Sequence, residues 1–230
     1  MNKEKTALII LHQRRSSIGD LGVKLKKRGY SIDVRKPSLG EKLPSNMDHH
    51  DVAIIYGGPM SANDDDTIIR YETDWINVAL ESNKPFLGIC LGAQMLANNL
   101  GGTVQRATDR SYEIGFFDII PNLDGQKIFQ QQKTFFQWHN EGFTVPNSCK
   151  VLAHGTKFHQ QAFQYQNAYG IQFHPEVNLR MHLAWLYFAG YMLKETGAQT
   201  QIKQLNLRLK HGKKINLWLD HFLDNYLLKT

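Results

Sequence analysis

One of the two cysteines of this 230-residue chain, Cys90, stands in the run PFLGICLGAQML (85–96), between an apolar segment that reads as a strand and one that reads as a helix. A nucleophile on so sharp a strand-to-helix turn occupies strained backbone angles. Glycines two residues before it (Gly88) and two after it (Gly92) relieve crowding and let neighbouring chain pass close by. The backbone N–H of Leu91 would open the helix toward the same space, and the partial positive charge of a helix N-terminus favours thiolate over thiol. The competing interpretation is a small buried hydrophobe, the usual state of a free cysteine; the flanking strand and helix weigh against it.

A thiol with an ordinary pKa of ~8.5 is only partly ionised at neutral pH, so it works best beside a histidine that a third group orients. Ten histidines compete for that place. His174 stands out because it closes the strand-like run GIQFH and is followed at once by Pro175 and Glu176. Pro175 ends the strand and stiffens the turn. Glu176 can fold back on the imidazole, select its tautomer and stabilise the imidazolium. Alone, this pattern also fits a surface histidine near a glutamate; its weight comes from the cysteine turn. The order Cys, His, Glu differs from the nucleophile-acid-histidine order of α/β-hydrolases, which argues against an esterase. Of the other histidines, His49 and His50 precede a strand and are expected to be exposed. His154 and His159 lack a metal-ligand neighbour, and His182, His211 and His221 fall on predicted helices. No metal-ligand constellation and no cofactor are expected. Asp64 to Asp66 read as a solvated loop feeding a helix N-cap.

The elements that must position these residues follow from periodicity. Thr6 to Leu11, Tyr30 to Arg35, Asp51 to Tyr56 and Pro85 to Ile89 read as strands. Ile18 to Arg28, Thr67 to Leu80 and Leu91 to Leu100 read as helices, with Asp66 or Thr67 capping the second. This β-α-β-β-α-β-α order predicts an α/β fold with a mostly parallel central sheet and helices on both faces. Ligands in such sheets sit beyond the carboxyl ends of the strands. Gly57-Gly58 and Cys90 both lie there, so they can converge. From 102 to 172 the pattern shifts to a smaller region of shorter strands: Glu113 to Ile120, Thr134 to Trp138, Val151 to His154, Gln161 to Tyr165 and Tyr169 to Phe173, with turns at Pro121-Asn122 and Pro146-Asn147. Leu179 to Leu193 and Ile215 to Leu228 read as helices, the latter with Trp218, Leu219, Phe222, Leu223 and Tyr226 inward.

Composition is that of an ordinary globular protein, and one domain is expected over 1–230, its C-terminal helices covering about 178–230. Two cysteines make a disulfide framework improbable and fit a reducing compartment. No apolar run is long enough for a signal peptide or a membrane span, so a cytoplasmic protein with no membrane partner is expected. The net charge of +6 is spread over scattered bases without interleaved aromatics, so no nucleic acid is expected. Lys203, Arg208, Lys210, Lys213 and Lys214 read as a solvated helix face, or as a surface for an acidic partner.

Taken together, GGPMSAND, PFLGICLGAQ, EIG, QWHNEGF and YGIQFHPEV resemble the class I (triad) glutamine amidotransferases, most of all stand-alone members akin to the glutaminase domain of GMP synthase. The resemblance covers about residues 50 to 178 and implies the flavodoxin-like fold of that family. It implies Cys90 as nucleophile, His174 as base and acid, and Glu176 as the orienting carboxylate. The N–H groups of Gly58 and Leu91 would form the oxyanion hole. Gly57, Gln94 and the stretch from His139 through Asn140 and Gly142 to Phe143 would line the substrate, although that stretch departs from the family's commoner SHxD-like form. The implied substrate is glutamine or another γ-glutamyl compound. No Walker-type or SGG-type phosphate loop marks an attached synthetase. Three functions stay open: a glutaminase passing ammonia to a separate synthetase subunit, or a free-standing γ-glutamyl hydrolase, or a binding module without turnover.

Overall fold

Runs such as ALIIL (7–11) and VAII (52–55) carry no polar alternation because the sheet they form is covered on both sides. In a computed structural model, which describes residues 5–229, the first half of the chain forms β1 (Lys5–Ile10), α1 (Gly19–Lys27), β2 (Tyr30–Arg35), β3 (Val52–Ile55), α2 (Thr67–Glu81), β4 (Phe86–Ile89) and α3 (Leu91–Asn99). Then come β5 (Thr103–Arg106), β6 (Glu113–Asp118), β7 (Ile120–Pro121), α4 (Leu123–Phe129), β8 (Thr134–His139), β9 (Glu141–Thr144), β10 (Lys150–His154), β11 (Gln160–Tyr165) and β12 (Ala168–Ile171). The chain closes with α5 (Leu179–Ala189) and α6 (Gln201–Phe222).

The sheet runs β2-β1-β3-β4-β12-β11-β10-β7. The first five of these strands are parallel and the rest antiparallel. The fold is thus α/β with a mostly parallel centre, and β6 and β8 form a separate antiparallel ribbon. Alternate residues enter two cores. Ala7, Ile9, Leu11, Val52, Ile54, Leu87 and Ile89 face α1 and α6, where Leu21, Leu25, Trp218, Leu219 and Phe222 meet them. Leu8, Ile10, Ala53, Ile55 and Phe86 face α2 and α3, meeting Ile69, Trp75, Ile76, Leu91 and Met95. Each fully buried aliphatic or aromatic side chain contributes about 1.5–3 kcal/mol. Asp66 caps α2, its carboxylate accepting from the Ile68 N–H at 2.8 Å.

The second half is richer in elements than the periodicity predicts. The run 113–120 breaks into β6 and β7. Pro121 ends β7 instead of turning the chain, and Asn122 caps the unpredicted α4 by accepting from Gly125 N. Strands β5 and β9, also unpredicted, pair with each other. The run 179–193 splits at Gly190 into α5 and a 3-10 segment, Gly190–Lys194. Helix α6 begins at Gln201, well before Ile215, with Thr200 as its cap. Trp218, Leu219 and Phe222 are buried as expected, Leu223 and the half-buried Tyr226 follow in a π-helical turn, Leu223–Leu227, and Arg208, read as solvated, is buried as well. Among the described residues no helix is long and apolar enough to cross a membrane.

Candidate active site

Cys90 joins β4 to α3 at φ 52° and ψ −106°, a conformation that costs a non-glycine residue strain and persists only where the surroundings hold it. They do so on both sides. Its N–H donates to Ile171 O on β12 at 2.8 Å, and its carbonyl accepts from Gln94 N at 2.9 Å, starting the helix. The two glycines are obligatory for close approach. A Cβ on Gly88 would lie 2.5 Å from Gly92 O, and one on Gly92 would lie 2.2 Å from Ile55 O. Leu91 is the first residue of α3, so its N–H lies outside the helix's own hydrogen-bond ladder.

His174 follows β12, the strand beside β4, and its N–H is tied to Phe136 O on β8 at 2.8 Å. Two residues on, the backbone of Glu176 is pinned by α1. Glu176 O accepts from Asp20 N at 2.9 Å, and Gly19, at φ +53°, passes so close that a Cβ there would lie 2.3 Å from that oxygen. With both ends fixed, the side chains meet: His174 Nδ1 lies 2.8 Å from Glu176 Oε1. The pair is buried, and Trp185 of α5 stands edge-on to the imidazole at 5.0 Å. Burial works against protonation of His174. The negative charges of Glu176 and Cys90, with hydrogen bonding to the carboxylate, outweigh it and push the pKa up to about 10. Among the described residues the other ring nitrogen, Nε2, meets no partner within strict hydrogen-bond geometry, although both charge and hydrogen bonding with Cys90 contribute to the raised pKa. Imidazole and cysteine converge over Gly57: a Cβ there would lie 2.7 Å from His174 Cε1 and 3.4 Å from Cys90 Cβ. Gly58, the next residue, is pressed between Leu91 and His12; a Cβ on it would lie 2.9 Å from each.

The structure therefore brings Cys90, His174, Gly57, Gly58 and Leu91 together, with Glu176 behind the imidazole. The other residues expected at the substrate are placed differently. Gln94 is buried, its amide nitrogen donating to Glu141 O at 2.8 Å and to Gln172 Oε1 at 3.3 Å. The His139 ring is turned inward, against Glu141 O at 2.8 Å and Glu113 Oε2 at 3.1 Å, and packs on Phe158. Gly142 is a packing glycine, where a Cβ would meet Phe158 at 2.5 Å, and Phe143 enters the core against Phe163. Asn140, in the turn between β8 and β9, stays half-buried. Of the stretch 139–143, then, His139 and Phe143 have their side chains turned to interior partners. The register explains this: β9 pairs with β5 and β11, which directs Phe143 between sheet and helix.

His50 is also misplaced by the sequence. It is buried, and Nε2 bonds Asp33 Oδ2 at 3.0 Å, while His49 is exposed as expected. Several groups near the site were not foreseen. Gln172 is fully buried and donates to Cys90 Sγ at 3.6 Å. Its signal was present, since it precedes His174 by two and shares the same face of an extended chain. Trp185 belongs to the helical spacing His182, Trp185, Leu186, which marks the inner side of α5. His12 and Glu72, whose side-chain hydrogen bonds reach forty-five residues or more along the chain, left no such mark.

Residues 16–192 match the family model described as glutamine amidotransferase class-I. The chain is 27% identical to the glutamine amidotransferase-like protein YfeJ of Salmonella typhimurium, over 95% of this chain and 96% of that one. It is 33% identical to one of the subunits of the glutamine-hydrolysing GMP synthase of Saccharolobus solfataricus, over 66% of this chain and 80% of that one. A glutamine amidotransferase from Thermotoga maritima superposes with a TM-score of 0.88 at 27% identity, covering 97% of this chain and 98% of its own. One from Methylobacillus flagellatus, 22% identical, shares the fold with a TM-score of 0.87, covering 95% of this chain and 92% of its own.

Proposed function

Since the chain belongs to the class I glutamine amidotransferases, we propose that it hydrolyses the side-chain amide of glutamine through a thioester on Cys90 and releases ammonia for a separate synthetase subunit. The observation that carries this reading is the buried 2.8 Å contact of His174 with Glu176, beside a cysteine held at a strained turn. Glu176 orients the imidazole and stabilises its protonated form, so His174 can hold the thiol's proton while the sulfur attacks. The Cys90 thiolate adds to the amide carbon, and the negative charge passes to the carbonyl oxygen. The N–H groups of Leu91 and Gly58 are the donors for that charge; losing one such donor typically costs about 10²–10³ in rate. His174 then gives its proton to the nitrogen, the C–N bond breaks and ammonia leaves. The neutral imidazole takes a proton from water, whose oxygen attacks the thioester, and the collapse returns glutamate and the thiolate. None of these steps requires a metal or cofactor.

A synthetase partner is supported by the similarity to a protein named as a GMP synthase subunit. The test is ammonia release from glutamine by the purified chain, alone and with cell extract. Cys90→Ser should abolish it, and turnover surviving in that variant would overturn the nucleophile. A glutamine-like chloroketone should alkylate Cys90 and spare Cys149, which is buried and whose thiol pKa burial pushes up. Stimulation by extract supports the partner; full activity alone assigns hydrolysis to this chain by itself.

A further inference from the structure

His12, two residues beyond β1, and Glu72, on α2, form a second histidine–carboxylate pair, with both side chains sealed from solvent and Nε2 to Oε2 at 2.8 Å. A sealed pair of ionisable groups is costly to fold around and calls for a reason. The other ring nitrogen supplies one. His12 Nδ1 lies 3.1 Å from Gly57 O, and because a carbonyl only accepts, Nδ1 carries the hydrogen. The peptide between Gly57 and Gly58 is trans and planar, so its C=O and N–H point in opposite directions. Holding the oxygen against His12 turns the Gly58 N–H away from it. Without such a hold, a peptide between two glycines, neither bearing a Cβ, would flip readily.

We propose that His12, itself oriented by Glu72, is a positioning residue that locks the Gly57–Gly58 peptide with its N–H presented to the oxyanion of the amide-hydrolysis step. This rests on the hydrolysis reading above, and it assigns the donor's orientation to two residues that never touch substrate. Glutamine turnover needs the oxyanion donor, whereas alkylation of Cys90 by iodoacetamide, a displacement at saturated carbon, does not. His12→Leu should therefore lower kcat for ammonia release by about 10²–10³, leave KM within a few-fold and leave the alkylation rate unchanged. His12→Asn, whose amide nitrogen can occupy the place of Nδ1, should recover most of the loss. Unchanged kcat in His12→Leu, or alkylation slowed in step with turnover, would overturn the lock. Should His12→Leu not fold, Glu72→Leu, which leaves Nε2 without its partner, carries the same comparison: kcat lower by about tenfold or more with alkylation intact supports it, and wild-type kcat sinks it. Failure of the underlying reading is seen separately, as wild-type protein that releases no ammonia or a Cys90→Ser variant that still does.

Discussion

Gly57→Ala probes the active-site geometry with a single carbon. The backbone tolerates the change, because Gly57 is not among the residues at positive φ. The added Cβ would stand 2.7 Å from His174 Cε1 and 3.4 Å from Cys90 Cβ. Non-bonded carbons settle at about 3.5–4.0 Å, so the imidazole must retreat by about 1 Å while the cysteine hardly moves. The ring has little room, being buried, bonded to Glu176 at 2.8 Å and flanked by Trp185. A displacement of about 1 Å at a reacting group costs about 10² in rate, or about 2.7 kcal/mol of barrier. Overpacking strain of about 1–3 kcal/mol would lower the melting temperature only modestly. A coupled assay of ammonia release should show kcat falling about a hundredfold in a folded protein. Gly190→Ala, where a Cβ meets nothing within 4 Å, should be indistinguishable from wild type in the same assay. Gly57→Ala turning over within twofold of wild type would show that imidazole and thiol do not meet across this residue.

Two further substitutions read the charges of the site. Glu176→Gln removes the foremost influence raising the His174 pKa, so the alkaline limb of kcat/KM, expected near pH 10 for the coupled pair, should move downward and the rate should fall by about 10³–10⁴. An unmoved limb would count against the pairing. The same shift predicts a stability effect. With the folded pKa raised from 6.5 to about 10, protonated His174 stabilises the fold fully below about pH 6.5, and that contribution is lost as pH rises through 10. The denaturant midpoint should drop across that window in wild type and much less in Glu176→Gln. Arg208→Ala removes a buried side chain that donates to Val177 O at 2.8 Å and lies 4.9 Å over both Phe116 and Phe136. A loss of about 2–4 kcal/mol is expected in denaturant melts; a change under about 0.5 kcal/mol would return Arg208 to the solvated surface.

What the sequence made legible is what short-range rules encode. Gly88 and Gly92 announced the cysteine turn because only glycine tolerates the 2.5 and 2.2 Å approaches found there. His174 and Glu176 were legible because a proline between them bends the chain back. The parallel sheet was legible because its strands are apolar without interruption. Where the reading failed, the missing information was non-local. The inward turn of the His139 ring was hidden because nothing nearby in sequence reveals its bond to Glu113. His50 looked exposed because Asp33, its partner, lies a strand away. Arg208 sits among lysines on a helix whose mean hydropathy is low, and only the crossing of that helix behind Phe116 and Phe136 explains its burial. Helix α4 was hidden by Gly125, a poor helix former kept because a Cβ would lie 1.9 Å from Leu152 O.

The contact made by Arg208 belongs to a larger non-local set around one loop. The segment from His174 to Asn178 has little regular structure of its own, yet it must hold an imidazole and a carboxylate to a fraction of an ångström. Its supports come from both chain ends. Asp20 of α1 donates its N–H to Glu176 O, and its carboxylate accepts from Asn178 at 3.1 Å and from Asn216 of α6 at 2.7 Å. Arg208 of α6 donates to Val177 O, and Gln204 of the same helix meets His182 on α5 at 3.1 Å. Helix α6 lies wholly beyond the 16–192 span that matches the family model. The stretch after Glu176 is thus part of that loop's frame: it closes a hydrogen-bonded clamp in which α1 and α6 grip the His174–Glu176 loop from outside while β8 and β12 hold it from within.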